Sequence, residues 1–175
     1  MNILTNKNFD IYKKNILYFL SYLLFLYIAQ FVLGEILNTV HFDKFYYQRE
    51  SLNISNNNNI FEILISIFTL NINLPLLNFF ALLFKIYPGD ITVYFFNSFL
   101  FLLIYLNINK TLKLLGFQEI NFAEFFLLSG YLNYFNIGIN KEVFIIFFVT
   151  TLFFLFLRNY KDKKFSIQEF GFLLL

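Results

Sequence analysis

The chain has 175 residues, of which 59% are hydrophobic, 23% aromatic and 14% charged, and it carries a net charge of +2 at neutral pH. A soluble domain of this size cannot hide so much apolar surface, so lipid is the expected solvent, and so small and evenly spread a charge excludes a nucleic-acid-binding surface. With no cysteine and His41 as the sole histidine, the sequence excludes disulfides, thiol nucleophiles and multi-histidine metal centres, and nothing in it calls for a metal or a cofactor.

Twenty-nine Phe and no Trp mark a bias toward Phe, Ile, Asn, Lys and Tyr of the kind an AT-rich genome produces. Such a bias places rings everywhere, so a Phe stripe is poor evidence for a site. Met1 to Lys14 is a short polar leader holding Lys7, Lys13 and Lys14, and Asn15 to Ile36 is a 22-residue apolar run. A signal peptide would have a shorter apolar region followed by a small-residue cleavage site, whereas Leu37-Asn38-Thr39-Val40 follows here. The run therefore predicts an uncleaved first span. Asn38 to Asn59 is the one clearly aqueous segment, expected as an outer loop, with the Asn run at 56–59 its most flexible part. Asn53-Ile54-Ser55 matches a glycosylation sequon, a pattern common by chance in an Asn-rich chain.

Ile60 to Tyr87 reads either as one helix kinked at Pro75 or as two short helices broken at Asn71–Pro75. Charge counting separates the two. If the stretch does not cross, Lys7, Lys13, Lys14, Lys110, Lys113, Arg158, Lys161, Lys163 and Lys164 lie on one side, against Lys44, Arg49, Lys85 and Lys141 on the other. If it crosses, residues 7, 13, 14, 85 and 141 face the remaining eight. The excess of Lys and Arg on cytoplasmic sides favours the first arrangement. Residues 60–87 are thus expected as interfacial or re-entrant helices, each too short for the ~30 Å hydrocarbon core. Pro88-Gly89-Asp90 is a turn, with Asp90 a candidate cap for the span Ile91–Ile108. Phe122–Ile137 is read as a short span whose Glu124, Ser129, Gly130, Asn133 and Asn136 should face protein. Val143–Leu157 is the last span, with Asn140-Lys141-Glu142 outside it and the basic cluster from Arg158 to Lys164 inside. Phe165 to Leu175 turns apolar again, which predicts that the chain is the N-terminal portion of a longer polytopic protein.

The expected fold is all-α: a single polytopic membrane domain over 1–175 with about four transmembrane helices. Residues 38–90 form an outer-face loop and the re-entrant or interfacial pair. The expected location is a membrane with the N-terminus on the cytoplasmic side.

Two clusters could carry chemistry. In the segment from His41 to Glu50, Asp43 can act as a general base, and Arg49 or Lys44 can bind phosphate at the water–lipid boundary. The same residues equally describe a solvated loop with tyrosines anchored at the interface. At Asn140-Lys141-Glu142, Lys141 can contact a phosphate and Glu142 suits a helix N-terminus, or the three form a cap and an ion pair. Glu35 is either a snorkelling carboxylate or a site residue.

The order of these parts resembles the membrane proteins of bacterial surface-polysaccharide clusters, the O-antigen-polymerase-like and GT-C-type lipid-dependent glycosyltransferases. The resemblance rests on Asp43 followed by Tyr46 and Tyr47, on PLLNFFALLFKIYPGD (Pro75 to Asp90) before Ile91–Ile108, and on Gly138-Ile139-Asn140-Lys141-Glu142 opening a helix. Tyr131 to Asn136 stand where that pattern has Pro and Ser. The resemblance implies transfer or polymerisation of polyprenyl-phosphate-linked sugars at the outer face of the inner membrane. It implies Asp43 as base, Arg49 and Lys141 as pyrophosphate ligands, and Glu142 orienting Lys141. The implied partners are membrane lipid, polyprenyl-linked glycan and other membrane proteins. A non-catalytic subunit of a respiratory or other large membrane complex is the alternative, and half of a transporter is a third reading, supported by the break at Pro75.

Overall fold

A computed structural model describes residues 2–40, 42–67, 74–135, 137–139 and 141–162, with side chains described for 10–32, 46–67, 75–130, 132–133, 137–139 and 141–161. The described residues are all-helical: α1 (Asn2–Val40), α2 (Phe42–Asn57), α3 (Ile60–Ile67), α4 (Leu74–Ile86), α5 (Asp90–Leu115), α6 (Phe122–Leu128), α7 (Gly130–Phe135) and α8 (Lys141–Asp162). Three stretches are long and apolar enough to cross a membrane: Asp10–Val32 of α1, Asp90–Leu115 and Lys141–Lys161. His41, the side chain of Asp43, Lys163, Lys164 and the apolar rise from Phe165 to Leu175 lie outside the described residues.

Half of the apolar stretch of α5 is buried, against 17% in α1 and 11% in α8, so α5 is the central helix. Packing partners fix the directions. Tyr18 meets Tyr105 with ring centroids 5.8 Å apart, Tyr22 stacks on Phe101 at 3.7 Å, and Tyr27 lies against Asp90 and Tyr94, so α1 runs antiparallel to α5. Phe96 stacks on Phe144 at 5.6 Å, and Asn107 Nδ2 donates to Thr151 Oγ1 at 2.9 Å, so α8 runs parallel to α5. The outward faces of α1 and α8 expose Leu17, Leu20, Leu24, Ile28, Ile145, Val149 and Phe153. Exposed aliphatic surface of that extent suits helices solvated by lipid.

Two long parallel helices need a return between them, and this is where the expected span at Phe122–Ile137 is corrected. That stretch is not one helix but two, α6 of 7 residues and α7 of 6, with the break at Ser129. At ~1.5 Å per residue each covers only roughly 10 Å, far short of the ~30 Å hydrocarbon core. Backbone that leaves the helical ladder at membrane depth must find partners in the protein, and polar side chains of α5 and α7 supply them, the latter held by α1. Asn109 accepts from the Ile120 N–H at 2.9 Å and donates to its carbonyl at 2.9 Å, while the Tyr105 hydroxyl donates to the same carbonyl at 3.2 Å. Asn133 donates to the Phe126 carbonyl at 2.9 Å and accepts from Tyr22 Oη at 3.0 Å. Asn97, three turns back along α5 from Asn109, donates to the Gly138 carbonyl at 2.8 Å.

The segment expected as an aqueous loop also differs. Residues 42–57 are helical, and α2 packs on α4 with Ser51 and Ser55 buried. The Asn run ends α2 and starts α3: Asn58 N–H donates to the Ile54 carbonyl, and Asn59 and Glu62 exchange bonds of 2.9 and 2.8 Å as a capping box. The sequon is therefore helical with a buried Ser. Ile60–Ile67 and Leu74–Ile86 form two short helices, α3 of 8 and α4 of 13 residues, packed on each other, and Asn71 to Asn73 of the expected break lie outside the described residues.

Candidate functional site

The helix directions sort the charges onto two ends of the bundle. Lys13 and Lys14 at the start of α1, Lys110 and Lys113 near the end of α5, and Arg158 and Lys161 near the end of α8 share one end. There Lys161 Nζ donates to the Leu114 carbonyl at 3.0 Å, and Lys113 lies 3.8 Å from Glu119. The opposite end gathers α2, the end of α4 and the first turns of α5 and α8. Phe80, Phe84, Val93 and Ile139 form a buried cluster there, with Tyr47 and Leu52 of α2 packed against it.

Of the residues singled out from sequence, Arg49, Lys141 and Glu142 fall at this second end. Arg49 is exposed, its Nε 3.8 Å from Glu50 Oε1. Lys141 is exposed and Glu142 half-buried in the first turn of α8. Among the described residues, no ion pair or hydrogen bond joins Arg49 to Lys141 or Glu142. Asp43 belongs to the first turn of α2, ahead of Arg49 on the same helix.

The junction that locks this end together escaped the sequence reading. Gln48 Nε2 of α2 donates to Asp90 Oδ1 at the first position of α5. Asp90 does not cap the helix with its side chain; the N-cap is Gly89, which makes no side-chain cap bond. A carboxylate in the first turn is still favoured by the helix dipole. Thr92 Oγ1 closes the preceding turn by donating to the Tyr87 carbonyl at 2.7 Å. Beside the junction, α1 and α5 leave a cleft of about 160 Å³ lined by Tyr27, Gln30, Phe31, Asp90, Ile91 and Tyr94. An adjoining hollow of about 220 Å³ shares Tyr27, Ile91 and Tyr94 with it and adds Leu20, Leu23 and Leu24. Together they make a groove with a polar mouth and an apolar body. Asp90 and Tyr94 lie four residues apart, on one helix face, a spacing from which half of the mouth could have been read. Gln48 and Tyr27 gave none, because their roles depend on which helices meet.

Among the described residues, no group of three His, Cys, Asp or Glu side chains could hold a metal ion. No family model, curated protein or solved structure matches the chain.

Proposed function

We propose that the chain takes part in transferring or polymerising polyprenyl-phosphate-linked sugars in a bacterial inner membrane, with the basic end of the bundle and the N-terminus cytoplasmic and the α2 end outside. In this reading Asp43 is the general base, Arg49 and Lys141 bind the pyrophosphate, and Glu142 orients Lys141. The observation that carries it is the direction of the helices. With α1 antiparallel and α8 parallel to α5, the helix bearing Asp43 and Arg49 and the turn bearing Lys141 and Glu142 share the end away from the six cations. A lipid-linked diphosphate presents its charge at that level of a bilayer, beside a fold whose flanks meet lipid.

The test is binding of undecaprenyl diphosphate to the purified chain in nanodiscs, with undecaprenol as the uncharged comparison. Each charge-assisted contact contributes ~1.5–3 kcal/mol, so Arg49→Gln and Lys141→Gln should each weaken binding roughly tenfold to a hundredfold. Lys141→Arg should retain most of it, and the double Gln variant should be non-additive if both touch one group. In cells, Asp43→Asn should abolish glycan polymer at unchanged protein level. Equal affinity for undecaprenol and its diphosphate would overturn the reading and leave a non-catalytic membrane subunit in its place.

A further inference from the structure

The mouth of the α1–α5 groove has a chemistry distinct from any phosphate site. Asp90 opens the 26-residue apolar helix and is exposed, so with α5 across a bilayer its carboxylate lies at the boundary between water and hydrocarbon. A carboxylate at that depth is costly unless it is paired. Gln48 donates one hydrogen bond to it, and among the described residues no cation pairs with it. The lining contains no Lys or Arg, so an anionic headgroup would meet a net negative charge. Around the carboxylate stand the rings of Tyr27, Phe31 and Tyr94, the first two 60% and 87% exposed. Rings beside a carboxylate are the setting in which an organic ammonium binds, through cation–π and charge attraction together.

We propose that this groove holds one ethanolamine phospholipid, its primary ammonium against Asp90 and the rings of Tyr27 and Phe31, and one acyl chain along Leu20, Leu23 and Leu24. A primary ammonium is favoured over a quaternary one because it brings three N–H donors to the carboxylate and phenol oxygens of the mouth. A lipid is favoured over a free amine because the polar mouth opens into an apolar hollow on the lipid-facing side of two spans, which a small amine would leave unfilled. This site is independent of the diphosphate reading: it uses neither Arg49 nor Lys141, and its ligand is a bilayer component.

The test is native mass spectrometry of the full chain released from nanodiscs made of equal parts dioleoyl phosphatidylcholine, phosphatidylethanolamine and phosphatidylglycerol. One ethanolamine lipid should be retained about tenfold over the choline lipid, as one charge-assisted hydrogen bond implies. The ratio should fall to near one in Asp90→Asn and stay unchanged in Lys110→Gln at the far end. Equal retention of all three lipids, preference for the glycerol lipid, or indifference to Asp90→Asn would overturn the assignment. Should Asp90→Asn fail to fold, the double variant Tyr27→Leu, Phe31→Leu keeps the carboxylate and removes two rings; an undiminished ratio there would overturn it equally.

Discussion

Asparagine is the residue on which the interior of this protein turns. One amide both donates and accepts, so a single Asn can close the paired N–H and C=O of a residue outside any helix. Asn109 does this for Ile120 with two bonds of 2.9 Å. In Asn109→Ala the Ile120 carbonyl keeps its bond from Tyr105, but its N–H loses its partner inside the bundle. The expected cost is roughly 1 kcal/mol, that of leaving one part-buried donor without its bond, read as a lowered unfolding midpoint in detergent micelles. Asn107→Ala should cost less, because the Thr151 hydroxyl it leaves behind still bonds the Phe147 carbonyl at 2.7 Å. Equal losses in the two variants would mean that the return stretch does not depend on this clasp.

The termini of the helices show where sequence reading succeeds and where it fails. The spans over Asn15–Ile36, Ile91–Ile108 and Val143–Leu157 are legible because apolar length alone dictates a membrane helix, and α1, α5 and α8 contain them. The two short helices within 60–87 are legible because the Lys and Arg count is best sorted when this stretch does not cross. Residues 42–57 were misread because a polar helix whose buried side chains, among the described residues, are Ser51 and Ser55 has no apolar stripe to reveal it. The role of the Asn run at 56–59 was not legible because capping is visible only when the partner three residues on is known to turn back, as Glu62 does to Asn59. The mouth at Asp90 was missed because three of its six lining residues, Tyr27, Gln30 and Phe31, belong to α1 and meet Asp90 only once the helices have packed. Gly116 is a terminus that can be tested. It ends α5 with φ 84°, and the N–H groups of Gly116 and Phe117 close onto the Lys113 and Leu112 carbonyls. A Cβ there would meet nothing within 4 Å, so Gly116→Ala isolates the conformational cost of about 1 kcal/mol, and Gly116→Asn should lose less. Thermal unfolding of both variants beside the parent checks the order.

At the scale of the whole molecule, the parallel pair α5 and α8 makes a prediction about sides. Asn53 and Lys141 are exposed at one end and Lys113 at the other. In this Cys-free chain, Asn53→Cys and Lys141→Cys should react with an impermeant thiol reagent from the same side of a sealed vesicle, and Lys113→Cys from the opposite side. Reaction of Lys141→Cys alongside Lys113→Cys would mean that 116–140 does not return through the bundle. The broken return also bears on how the protein is made. Segments enter a bilayer one by one when each is apolar enough to partition by itself, and chains emerge from the ribosome N-terminus first. The stretch with α6 and α7 is two short helices carrying Glu124 and Asn133, and its backbone at Ile120 and Phe126 would be costly in lipid without Asn109 of α5 and its own Asn133, which bonds Tyr22 of α1. It cannot partition alone. A nascent chain must therefore hold it at the membrane surface until α5 is in place to receive it, and α8 can settle alongside α5 only after that late entry.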